Sequence, residues 1–90
     1  MPQPTPEHIR ATAESILRAM VDDPRFTIGE DTPLRGEVAG VEFDSLSSVE
    51  LVVELEDSLR VPLLEHLDFR WRTFGELCTA VQGVCRDCPS

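Results

Sequence analysis

Apolar residues recur at helical spacing through the first twenty positions. Ile9, Ala13, Ile16, Leu17 and Met20 fall on one stripe at about 100° per residue. Thr5 can cap a helix there, Pro6 suits its first position, and Glu7 is favourable in its first turn. That helix is expected to stop at Asp22-Asp23-Pro24, because Pro24 disfavours a helical Asp23. The period is then lost. From about residue 24 to residue 43 the chain carries Pro24, Gly29, Pro33, Gly36 and Gly40, with Phe26, Ile28, Leu34, Val38 and Val41 as isolated apolar anchors. This reads as a long loop pinned by its own side chains. Runs such as Val38 to Val41 are too brief and too Gly-flanked to require a strand.

Periodicity returns at Asp44-Ser45, both good helix caps, and continues to about Arg60, where Pro62 stops it. A short helix or turn is expected over residues 63–67. Thr73-Phe74-Gly75-Glu76 has the form of a capping box and opens a last helix striped by Phe74, Leu77, Cys78, Val81 and Val84. Gly83 and Pro89 mark its fraying end. The expected fold is therefore all-α: a small four-helix bundle of three longer helices plus one short one. Residues 1–5 read as a flexible lead, 6–84 as the domain and 85–90 as a tail.

The second helix has more apolar surface than one core face needs. With Leu46 at zero, Leu51, Val52, Leu55 and Leu59 lie at roughly 140° to 240°, which is a core face. Leu46, Val49 and Val53 lie at roughly 300° to 360°, a second apolar strip. Glu50, Glu54 and Asp57 lie at roughly 20° to 80°, beside that strip. The pattern fits a docking surface with apolar contacts at its centre and carboxylates steering basic partners. It also fits a solvated face with some Val packed against the long loop.

Composition narrows the possibilities. Ninety residues make one small domain, and 41% apolar content suits a folded one. Seventeen acids against eight bases, all of them Arg, give a net charge of −9. Nucleic acid and acidic membrane surfaces are disfavoured as ligands, because both call for clustered cations. No run approaches the roughly 20 apolar residues of a membrane span. The first residues do not form a secretory signal, so a cytoplasmic protein is expected, by default a monomer.

Little in the chain supports catalysis. Ser45 has no G-x-S-x-G elbow, and neither His8 nor His66 is placed by sequence to complete a triad, so no catalytic residue is expected. Cys85-Arg86-Asp87-Cys88 has CxxC spacing but no second ligand pair, so no metal is expected, and Cys78 reads as core. As a modification site Ser45 makes physical sense. A phosphodiester there would sit at the positive end of the helix macrodipole, beside a flexible loop that leaves the hydroxyl reachable.

At these residues a resemblance emerges. Asp44-Ser45-Leu46-Ser47-Ser48-Val49-Glu50-Leu51-Val52-Val53-Glu54-Leu55-Glu56-Asp57 resembles the acyl carrier protein family, whose hallmark is D-S-L opening an acidic helix. Val61-Pro62 is similar to its helix-ending I/V-P, Thr73-Phe74-Gly75-Glu76-Leu77 to its T-V-x-x-L, and Asp31-Thr32-Pro33-Leu34 to its D-x-x-L anchor. The similarity spans residues 7 to 84.

The resemblance implies a non-enzymatic carrier with the family's four-helix fold. Ser45 would bear 4′-phosphopantetheine, added from coenzyme A by a magnesium-dependent phosphopantetheinyl transferase, and the arm's thiol would hold acyl groups as thioesters. Asp44 and Leu46 flank the attachment point, and Asp44 would assist the transferase. Leu46, Val49, Glu50, Val53, Glu54 and Asp57 match the family's partner-recognition positions, facing acyltransferases, ketosynthases or other enzymes with basic docking surfaces.

The chain also departs from the family. Glu42 and Phe43 stand where many members have Gly, and Arg70, Trp71 and Arg72 add bulk and charge. Trp71 suits core packing or the wall of an acyl pocket. These features lean towards a specialised, polyketide-type pathway. A peptidyl carrier, whose G-G-x-S lead-in is absent here, and an unmodified acidic helical adaptor are the alternatives.

Overall fold

The first apolar stripe folds as helix α1 (Pro6–Met20). Thr5 caps it, with Thr5 Oγ1 accepting the His8 N–H at 3.1 Å and Pro6 opening the first turn. Ile9, Ala13 and Leu17 are buried, and Ile16 and Met20 pack against the same core from half-exposed positions. The computed structural model describes residues 4–21, 25–38 and 40–87. The Asp22-Asp23-Pro24 stop, residues 1–3 of the lead, Cys88 and Pro89 lie outside the described residues.

The chain after α1 corrects the all-α expectation. Strands β1 (Gly36–Val38) and β2 (Val41–Phe43) form an antiparallel hairpin in the register Gly36↔Phe43, Glu37↔Glu42, Val38↔Val41. The pairing obeys the two-residue period of a strand. Val38 and Phe43 are buried and Val41 half-buried, while Glu37 and Glu42 face solvent. Gly40 supplies the left-handed backbone for the turn at φ 86°. The rest of the segment is lashed to the start of the last helix. Leu34 N–H donates to Arg72 O, Phe74 N–H to Thr32 O and Gly75 N–H to Glu30 O, each at 2.9 Å. A Cβ on Gly75 would lie 2.9 Å from Glu30 O, so that close approach requires glycine.

Helix α2 (Ser45–Leu59) follows the hairpin directly and ends at Arg60, which takes left-handed backbone at φ 57°. Residues 63–67 do not form a fourth helix. They make a single turn, with Leu67 N–H donating to Leu63 O at 2.7 Å and His66 N–H to the same oxygen at 3.1 Å. Pro62 cuts this turn off from α2, and it is too short to propagate. Helix α3 (Phe74–Asp87) opens with Glu76 N–H on Thr73 Oγ1 at 3.2 Å, and the Glu76 carboxylate accepts the Arg72 N–H at 3.0 Å.

Packing also differs from a four-helix bundle. α1 packs against both α2 and α3, and α2 packs against β2 as well. The core joins Leu51, Val52, Leu55 and Leu59 of α2 to the α1 stripe and to Phe74, Leu77, Val81 and Cys85 of α3. Val21, Ile28, Leu34, Leu63, Leu67 and Trp71 from the connections, with Val38 and Phe43 of the hairpin, complete it. α3 continues through Gly83, so Cys85 is core rather than tail.

Candidate functional site

The hairpin delivers the chain to the head of α2. Phe43, the last residue of β2, is buried, and the next residue, Asp44, caps the helix. Asp44 Oδ1 accepts the Ser47 N–H at 3.0 Å. That bond holds the Asp44 carboxyl below the usual carboxylate range, against a smaller opposing effect of desolvation.

Three serines crowd this turn and only two are engaged. Ser47 Oγ donates to Glu42 O at 3.2 Å, and Ser48 Oγ donates to Asp44 O at 3.1 Å. Both side chains are spent tying α2 to β2 and to its own cap. Ser45 is exposed, and its hydroxyl has no hydrogen-bond partner among the described residues. It stands at the positive end of a helix whose first turn carries no acid, whereas α1 has Glu7 and α3 has Glu76 there.

A cleft of about 420 Å³ opens beside Ser45. Buried Leu34, Phe43 and Trp71 contribute to its wall, together with exposed Arg35, Asp44, Val49 and Phe69. The Phe69 and Trp71 rings are tilted neighbours, with centroids 6.1 Å apart. Trp71 is 9% exposed, and its Nε1–H is closed to solvent without an acceptor. Such an orphaned donor costs about 1–3 kcal/mol. Neither His8 nor His66 lines this cleft, so no imidazole is placed there to activate Ser45.

Below the cleft, the surplus strip of α2 stands open. Leu46 is 66% exposed, Val49 38% and Val53 42%, so the strip is not packed away beneath the hairpin. Glu50, Glu54 and Asp57 are exposed beside it and form no ion pair among the described residues. The structure thus brings Asp44, Ser45 and Val49 to one cleft, and Leu46, Val53 and the three acids to the adjoining face.

Sequence reasoning missed Arg35 and Phe69 as cleft residues. No local pattern marks either one, because the fold alone joins the 34–36 and 69–71 segments to the head of α2.

A second cleft, of about 220 Å³, lies where α1 meets α3 and is lined by Arg10, Glu30 and Cys78 among others. Burial pushes the Cys78 thiol up to about 11, despite the opposing pull of Arg10, so it stays protonated at neutral pH and is a poor nucleophile. Among the described residues no three His, Cys, Asp or Glu side chains converge to hold a metal ion, and no helix is long and apolar enough to cross a membrane. Comparison with known proteins returned no matching family model, no matching curated protein and no matching solved structure.

Proposed function

We propose that the protein is an acyl carrier. In this reading Ser45 receives a 4′-phosphopantetheine arm, and enzymes that act on the cargo dock on the exposed face of α2. The observation that carries the reading is the contrast among the serines at the head of α2. Ser47 and Ser48 are hydrogen-bonded to the backbone, while Ser45 presents a free, exposed hydroxyl at the helix N-terminus.

The residues fit that chemistry. Ser45 Oγ attacks the phosphorus of coenzyme A that bears pantetheine. A P–O bond of the pyrophosphate breaks, 3′,5′-ADP leaves, and the hydroxyl proton passes to a base of the transferase. The product is a phosphodiester at a helix N-terminus, where the macrodipole favours negative charge. Asp44 holds the first turn of α2 in register and leaves a carboxylate edge for the transferase and its magnesium. The arm's thiol, once attached, supplies the thioester chemistry.

Leu46, Val49 and Val53 offer apolar contact, and Glu50, Glu54 and Asp57 favour basic partners such as acyltransferases and ketosynthases. With a net charge of −9, long-range attraction to a basic docking surface raises the encounter rate. The protein itself is not an enzyme in this account but the object of other enzymes. The Glu42-Phe43 lead-in and the Arg70-Trp71-Arg72 segment favour a specialised, polyketide-type pathway in the cytoplasm.

Incubation with coenzyme A and a promiscuous phosphopantetheinyl transferase tests the proposal by intact mass. A phosphopantetheine-sized gain that Ser45→Ala abolishes is expected. No gain, or a gain that persists in Ser45→Ala, leaves α2 as the face of an unmodified adaptor.

A further inference from the structure

Ile16 and Met20 are the two members of the α1 stripe that folding does not fully bury. They pack against the core on one side and open on the other into a groove of about 430 Å³ between α1 and α2. Ser15 and Ala19 of α1 and Glu50 and Glu54 of α2 complete its lining. None of the six residues is buried. The groove is therefore an open trough between two helices, whereas a small-molecule site encloses most of its ligand.

We infer that this groove is a docking site for a basic amphipathic helix of a partner protein, seated with its apolar side chains on Ile16 and Met20 and its cations on Glu50 and Glu54. Charge selects the occupant. The lining carries two carboxylates and no cation, and neither glutamate forms an ion pair among the described residues. Arg18, on the adjoining turn of α1, is engaged by Glu14 and by Phe26 O. An apolar floor edged by carboxylates complements a helix whose apolar residues, at i and i+4, are bordered by Arg or Lys. Nucleic acid, an anionic membrane and a second copy of this chain, itself at −9, would all meet that edge with like charge.

The groove lies on the far side of α2 from Ser45. At 100° per residue Ser45 is roughly 140° to 180° around the helix from Glu50 and Glu54, but only about 40° from Val49. A helix in the groove thus leaves Ser45 uncovered, while a partner over Val49 does not. The site can hold the protein to an assembly with its modifiable serine still open. Its binding stands apart from the carrier reading, because no arm takes part.

A synthetic helical peptide of Leu and Arg in amphipathic spacing is the probe, titrated into isotope-labelled protein. Met1 and Met20 are the only methionines, and Met20→Leu identifies the second methyl signal. The Met20 and Ile16 methyl signals are expected to shift and saturate while the Ser45 amide stays in place. Glu50→Gln and Glu54→Gln, both at exposed positions, should each weaken binding by about 1.5- to 5-fold, the range for an exposed charge pair. Replacing the peptide's Leu by Ser should abolish the methyl shifts. An unmoved Met20 methyl at concentrations that saturate shifts at Leu46 and Val49 overturns the inference, as do equal shifts with the Ser-substituted peptide. None of these results changes the mass gain that tests attachment at Ser45, so the two readings fail separately.

Discussion

Helices α1 and α2 are the same length but use their residues differently. α1 commits its apolar stripe to the core at Ile9, Ala13 and Leu17 and ties its charges to neighbours. Arg10 pairs with Glu30 at 3.1 Å, and Arg18 pairs with Glu14 at 3.4 Å while also donating to Phe26 O at 3.0 Å. Its first turn holds an acid and its last turn a base, complementing the helix dipole. α2 buries Leu51, Val52, Leu55 and Leu59 and then leaves Leu46, Val49 and Val53 exposed. It has no acid in its first turn, no base in its last, and beside the apolar strip carboxylates without ion partners among the described residues. The buried stripe of α1 and the pairs made by Arg10, Glu14 and Arg18 are explained by folding. In α2 a core face is explained that way and the rest is surplus, and the free hydroxyl of Ser45 stands at the head of that surplus.

Substitutions can break this contrast. On the committed face, Leu55→Ala is expected to cost about 2–5 kcal/mol in urea denaturation, as a fully buried leucine does. On the surplus face, Val53→Ala is expected to stay within about 0.5 kcal/mol. A Val53→Ala loss as large as that of Leu55→Ala would erase the distinction between the faces. Next in size is partner binding. Leu46→Ala should weaken association with a cognate enzyme by about 1 kcal/mol or more while leaving the melting curve in place. Glu54→Arg should act on the encounter, slowing association and flattening its salt dependence with little change in stability.

The smallest effect separates the two helix caps. The folded pKa of Asp44 is depressed below its ordinary 3.8, chiefly by the Ser47 N–H. Its contribution to stability is therefore present above the unfolded pKa and lost as pH falls through the folded one. Thr5, the cap of α1, has no titrating group. Acidification from about pH 5 to about pH 2 should move the Ser47 amide signal more than the His8 amide signal, because the Ser47 acceptor is a carboxylate and the His8 acceptor is the Thr5 hydroxyl. An unmoved Ser47 amide would mean that the Asp44 cap does not hold in solution.

The helices were legible because a 3.6-residue period persists over 14 or 15 positions and their caps follow known chemistry. The two faces of α2 followed from the same arithmetic. The hairpin was not legible, because three-residue strands have no period to detect. The symmetric Glu37-Val38 and Val41-Glu42 around Ala39-Gly40 was the available signal. By sequence, Gly83 marks a fraying helix end, which puts Cys85 in a tail. Nothing crowds the position of a Cβ on Gly83, and the helix passes through it to bury Cys85 two residues further on. The attachment residue Ser45 stood out in sequence, whereas the cleft depends on Leu34, Arg35, Phe69 and Trp71 meeting across the fold.

The central claim is that Ser45, and not its neighbours, is the tether point. Peptide mapping by tandem mass spectrometry after treatment with transferase and coenzyme A tests it most directly. The account predicts modification at Ser45 alone, retained in Ser47→Ala and Ser48→Ala and lost in Ser45→Ala. Modification at Ser47 or Ser48, or none at all in the wild-type chain, would contradict it.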